Sequence, residues 1–157
     1  MEYLGKVVAP HGIKGEVKII TEFEYPEKAY VVGNKIIIDN KSYTIKTYRH
    51  HKIYDMVTLD DYRNINEIEF LIGKKVYIDK DELNLNSNEI LDSEILDFSA
   101  IINDEKYKIV DVFDAGANNK IIRVAKDKEV LIPLKSPMVK KIDKTKKEII
   151  IELIGGM

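Results

Sequence analysis

The sequence predicts a mainly β protein: two small β-barrels joined by a short linker, with one short helix in the N-terminal domain. Three observations carry this. Strand-forming residues dominate, with 25 Ile, 12 Val and 9 Tyr against 10 Leu and 6 Ala, and branched or aromatic side chains suit a pleated, half-buried surface. The apolar segments are short, often alternate, and are closed by turn residues at roughly eight- to twelve-residue spacing, as in barrels and sandwiches. Finally, the polar run 79–88, Asp-Lys-Asp-Glu-Leu-Asn-Leu-Asn-Ser-Asn, divides the 157 residues into two halves. The domains are therefore expected at 1–80 and 89–157, with 81–88 as the linker.

In the first half, Tyr3 to Ala9 reads as a strand broken by Pro10-His11-Gly12. Glu16 to Thr21 alternates, with Val17 and Ile19 on one face. Lys35 to Ile38 and Ser42 to His50 flank Asp39-Asn40-Lys41, a tight hairpin signal. Asp55 to Leu59 is a further strand. Asn64 is a candidate helix N-cap, because its side chain can accept a first-turn backbone N–H, and Glu67 stands three residues on. Ile65, Ile68, Leu71 and Ile72 follow at helical spacing, and Gly73 ends the run. Lys75 to Ile78 returns as a strand.

After the polar run come strands at Ala100 to Ile102, Lys106 to Phe113, Ile121 to Ala125, Val130 to Ile132, Val139 to Ile142 and Glu148 to Leu153. Turns at Asn103-Asp104, Asp114 to Asn119, Asp127-Lys128 and Asp143 to Lys146 separate them, with Pro133 and Pro137 in a connection.

Composition excludes several chemistries. With no cysteine, disulfides, thiolate metal sites and cysteine nucleophiles are ruled out. The longest apolar runs are four or five residues, far short of the ~20 of a spanning helix, and no secretory signal is visible at the N-terminus. A cytoplasmic protein without membrane association is expected. The three histidines lack paired ligand spacing, so no metal or other cofactor is expected. No phosphate-binding glycine loop and no Gly-x-Ser-x-Gly elbow occurs. No catalytic residues are assigned, and an enzyme is not expected.

Net charge is −2, but its distribution is uneven: +1 over residues 1–80, −8 over 81–114 and +5 over 115–157. Such polarity is either an ordinary solvated surface or a surface that steers a basic protein or an RNA. The most informative segment is Gly5 to Ile19, where Gly12 and Gly15 flank Lys14 between two strands. It reads either as a tight barrel corner or as a projecting loop that presents His11 and Lys14.

This segment resembles the N-terminal signature of the RimM family of ribosome maturation factors, matching it at Gly5, Lys6, Val7, Val8, His11, Gly12, Ile13, Lys14, Gly15 and Glu16. A second block, Asp61-Tyr62-Arg63-Asn64-Ile65-Asn66-Glu67 followed by Leu71-Ile72-Gly73-Lys74, is similar to that family as well. So is a third, Val110 to Asn119 with Val130-Leu131-Ile132-Pro133 and Gly155-Gly156, which resembles its C-terminal PRC barrel. The resemblance spans nearly the whole chain.

The resemblance implies a non-catalytic factor, here taken as a monomer, that binds the immature small (30S) ribosomal subunit and its rRNA. It implies docking on ribosomal protein S19 in the head and help with assembly and 16S rRNA processing. It places His11, Gly12, Lys14 and Gly15 in a ribosome-facing loop. It suggests Ile90, Leu91, Gly116 and Asn118 for binding the ribosomal protein. Ile90 and Leu91 stand where many members of the family carry an aromatic pair, and Asp97 stands where they carry glycine. Lys140, Lys141, Lys144, Lys146 and Lys147 are the candidates for touching RNA backbone. The alternative from another class is a PRC-barrel adaptor unrelated to the ribosome.

Overall fold

A computed structural model describes residues 1–116 and 119–155. The chain divides into two compact units, Met1–Asn84 and Leu85–Met157.

The first unit contains six strands: β1 (Glu2–His11), β2 (Glu16–Thr21), β3 (Lys35–Ile38), β4 (Lys41–His51), β5 (Tyr54–Leu59) and β6 (Lys75–Ile78). They close into a barrel in the order β1-β2-β5-β4-β3-β6. Period-2 alternation sends Val17 and Ile19 of β2, Ile36 and Ile38 of β3, and Val76 and Ile78 of β6 into the core, all fully or almost fully buried. Helix α1 (Pro26–Ala29) begins on a proline, whose missing N–H costs nothing at a helix start. Helix α2 (Ile65–Ile68) runs on into a 3-10 turn, Glu69–Leu71, and buries Ile68 and Leu71.

β1 does not stop at Pro10, as the sequence suggested, but continues to His11. Its outer neighbour β6 pairs only with Glu2 to Lys6. Pro10, which pairs with Val17 of β2, lies beyond the paired stretch, so no ladder bond is lost. The polar run 79–88 is also partly structured. Lys80–Leu83 is a 3-10 turn with Leu83 buried, and Asn34 Nδ2 donates to Glu82 O at 3.3 Å. One apolar side chain and one backbone bond thus draw the run's first half onto the barrel, and the first unit reaches Asn84.

The second unit opens with helix α3 (Asp92–Ile95) and contains β7 (Ser99–Ile102), β8 (Glu105–Asp114), β9 (Lys120–Ala125), β10 (Glu129–Pro133), β11 (Val139–Asp143) and β12 (Glu148–Ile151). These form one six-stranded sheet, ordered β10-β9-β8-β7-β12-β11. β7 to β10 follow one another as an antiparallel meander. The chain then crosses over, and β12 joins β7 in parallel. One core gathers Ile95, Phe98, Ile102, Ile109, Ile122, Val124, Ile132, Ile149 and Ile151.

Candidate functional site

The turn between β1 and β2 is built from its glycines. Gly15 has φ +89°, and a Cβ there would lie 3.2 Å from both Asn64 N and Tyr62 O. Only glycine allows both the backbone angle and this approach. The turn is also tied by a backbone bond, since Ile65 N donates to Ile13 O at 3.0 Å. The structure thus brings two separate sequence signatures together: residues 12–15 rest on the chain entering α2. That entry is itself fixed, because Asn64 Oδ1 accepts from Glu67 N at 3.1 Å while Glu67 Oε1 accepts from Arg63 N at 3.1 Å. The turn is therefore a packed barrel corner, and it still exposes side chains. Ile13 is 74% exposed. Lys14 lines an open groove of about 470 Å³ together with Lys46, Thr58, Asp60, Asp61, Tyr62 and Arg63.

His11, half-buried, faces His51 with ring centroids 6.3 Å apart. Beside them Arg49 grips Glu16 with two bonds, Nε to Oε2 at 3.0 Å and Nη2 to Oε1 at 2.8 Å. These bonds hold the Glu16 carboxyl below its usual range, with His11 and His51 adding to the effect and burial opposing it. The third histidine, His50, is exposed but reaches a buried carboxylate. His50 Nδ1 lies 3.1 Å from Asp55 Oδ1, which also accepts the Tyr48 hydroxyl at 2.6 Å. Asp55 is buried, at 5% exposure. Burial, reinforced by this bond, pushes the Tyr48 hydroxyl far above its usual pKa. Among the described residues, no three His, Asp or Glu side chains converge as a metal site, and no helix is long and apolar enough to cross a membrane.

In the second unit, Ile90 and Leu91 are 3% and 0% exposed. Ile90 belongs to the core cluster, and Leu91 caps α3. Their side chains are drawn inward and present no exposed surface of their own. Gly116 is exposed at φ +99°, and its N–H donates to Asp114 Oδ1 at 2.8 Å. Asn118 lies outside the described residues. Lys120 joins this loop to α3, its Nζ 2.6 Å from Asp92 Oδ2 and 3.9 Å from Asp114 Oδ2. The structure therefore brings the start of α3 together with Asp114 and Lys120, an arrangement with no local signal in the sequence.

The lysines of β11 and the turn after it are partly engaged. Lys144 Nζ donates to Asn86 O at 2.8 Å, and Lys140 approaches Glu152 at 4.0 Å. Asp143 Oδ1 accepts the N–H groups of Thr145 and Lys146, each at 3.0 Å, which folds the turn. Lys146 and Lys141 are exposed. Lys147, at φ +55°, accepts from Ser99 N at 2.9 Å.

Comparison with known proteins accounts for both units. Residues 3–83 match the RimM N-terminal domain, and residues 108–157 match the RimM PRC barrel domain. The chain belongs to the RimM family. The ribosome maturation factor RimM of Ligilactobacillus salivarius is 35% identical over 162 residues, covering 98% of this chain and 96% of that protein. The RimM proteins of an Exiguobacterium species and of Staphylococcus saprophyticus are 35% and 34% identical over 163 residues, with coverage of 95% or more on both sides. The solution structure of the N-terminal domain of RimM from Thermus thermophilus superposes with a TM-score of 0.45 at 18% identity, over 53% of this chain and 93% of that one. It is too distant to add to the assignment. The RimM turn signature has a structural reason here, since Gly15 is required for the contact with residues 62–64.

Proposed function

We propose that this chain is a non-catalytic maturation factor of the small ribosomal subunit. In this reading it acts in the cytoplasm as a monomer, docks on ribosomal protein S19 in the head of the immature 30S subunit, and aids 16S rRNA processing. The observation that supports it best is the match of both RimM domains, in order, along almost the whole chain. Mechanistically such a factor works by mass action: it stabilises the one conformation of protein and RNA that it binds. The 114–116 loop and the exposed acids Asp97, Asp111 and Asp114 suit a basic ribosomal protein. In this reading Ile90 and Leu91, both buried, act from the interior of the second unit rather than by touching the partner.

Co-sedimentation with free small subunits, together with capture of purified S19, tests the proposal. Binding to both, and accumulation of unprocessed small-subunit rRNA in a deletion strain, are the expected results. If the protein neither sediments with small subunits nor captures S19 while rRNA processing stays normal, the reading fails. Capture of S19 by an Ile90→Ala chain that remains folded would confirm the supporting role of that residue.

A further inference from the structure

We infer that the outer face of β2, β5 and β4 in the first unit is an RNA-backbone site, formed by Lys14, Lys18, Lys46, Arg49, His51 and Arg63. The inference rests on the maturation-factor reading and deepens it. It places the principal RNA contact on the first unit instead of the 140–147 lysine turn.

The register assembles the face. Lys18 of β2 pairs with Met56 of β5, and Met56 pairs with Arg49 of β4. Lys18 and Arg49 therefore point to the side opposite Val17 and Val57, which pair with each other and are buried, and they lie on either side of Met56, which is itself fully covered. One step along, Thr47 and Thr58 pair and share a hydroxyl hydrogen bond of 2.7 Å. Thr58 in turn lines the groove with Lys14, Lys46 and Arg63. In the other direction His51 pairs with Tyr54, and Lys18 Nζ sits 4.8 Å above the Tyr54 ring. The groove cations and the Arg49–His51 cluster thus form one continuous band.

Charge selects the ligand. The stretch 46–54 carries Lys46, Arg49 and Lys52 and no acidic residue. Arg49 and Glu16 pair with each other, which leaves the four cations Lys14, Lys18, Lys46 and Arg63 against the two carboxylates Asp60 and Asp61. In a chain of net charge −2, the face keeps a positive excess. Two half-buried aromatic rings, Tyr54 and Tyr62, lie among the cations. Cations for phosphates beside rings for unpaired bases fit a single-stranded RNA better than an acidic protein segment, which has no use for the rings.

The test uses the full chain and a fluorescein-labelled mixed-sequence RNA of about 20 nucleotides, with affinity measured by anisotropy from about 50 to 200 mM salt. Each lost phosphate contact lowers the slope of log K against log salt by about 0.7 on a single strand, so Lys18→Gln/Lys46→Gln/Arg63→Gln should lower it by about 2 and weaken binding at least about tenfold. Lys126→Gln/Lys128→Gln in the second unit is the control and should change neither. Circular dichroism checks that the triple variant is folded. No binding of the parent to the RNA, or an unchanged slope in the folded triple variant, overturns the inference. Equal competition by polyglutamate of matched charge also overturns it and points to an acidic protein instead. Failure of the maturation-factor reading is seen separately, as loss of parent co-sedimentation with small subunits.

Discussion

Replacing Gly15 by alanine is expected to destabilise the first unit by about 2–3 kcal/mol. Two terms contribute. The φ of +89° costs an L-residue about 1–2 kcal/mol, offset by about 0.4–1 kcal/mol because the unfolded chain loses freedom. The new Cβ would also lie 3.2 Å from Asn64 N and Tyr62 O and 3.3 Å from Arg63 C. These are backbone atoms that cannot rotate away, and overpacking of this kind costs about 1–3 kcal/mol. Gly12→Ala is the matched control: its φ is +65°, but nothing lies within 4 Å of its Cβ position, so only the first term applies. Thermal unfolding followed by near-ultraviolet circular dichroism reads the difference, because eight of the nine tyrosines lie in the first unit. With about 4–8 °C of Tm per kcal/mol for a unit of this size, Gly15→Ala should melt about 10 °C or more below the parent and well below Gly12→Ala. Equal melting of the two variants would refute the packing argument, and with it the claim that the turn is a built corner.

Asp55→Ala removes the acceptor of both Tyr48 and His50 and should cost about 2–3 kcal/mol in urea unfolding, while Asp55→Asn, which keeps one acceptor oxygen, should cost less. The Glu16 carboxyl is held low in the folded state, first by Arg49. Its stabilising contribution is therefore present above the ordinary carboxylate range near ~4.3 and fades as pH falls through the lower folded value. The stability difference between parent and Arg49→Gln near neutrality should shrink in acid. A difference that holds constant down to a pH of about 3 would count against it. Ile90→Ala should lower the stability of the second unit by about 2–5 kcal/mol, as a buried core truncation does. Unchanged stability with weakened partner binding would instead return Ile90 to the surface.

Much of the fold was legible because it is written locally. The turns at Asp39-Asn40 and Asn103-Asp104 take positive φ at both central residues, as two-residue hairpins require. Asn64 caps α2 through the Glu67 N–H as its spacing implied. What escaped lacks a local mark. Helices α1 and α3 are single turns of four residues, too short to show a helical period. The parallel pairing of β7 with β12 joins residues about fifty positions apart. Pro10 misled as a strand end because the ladder it would have broken is absent on that side. For the candidate sites the same holds. The corner residues His11 to Gly15 stood out, whereas Lys18, Lys46 and Arg49 look like ordinary solvent-facing strand residues until the register lines them up.

The distribution of charge now has a structural meaning that its sum conceals. Residues 1–80 carry only +1 overall, yet bases gather locally: Lys14, Lys46 and Arg63 line the groove against Asp60 and Asp61, and Glu16 is tied to Arg49. In the second unit, Asp97, Asp111 and Asp114 are exposed, and Asp114 enters the 114–116 loop. An assembly intermediate made of a basic protein on an anionic RNA offers both complements at once. A factor with one face for each would recognise the two only when they are correctly joined, because each contact alone is screened and weak. Under the proposed function, that coupling would let the protein favour one assembled state. It predicts that cation removal on the first unit and acid removal on the 114–116 loop weaken binding to the intact particle by more than either weakens binding to the isolated component.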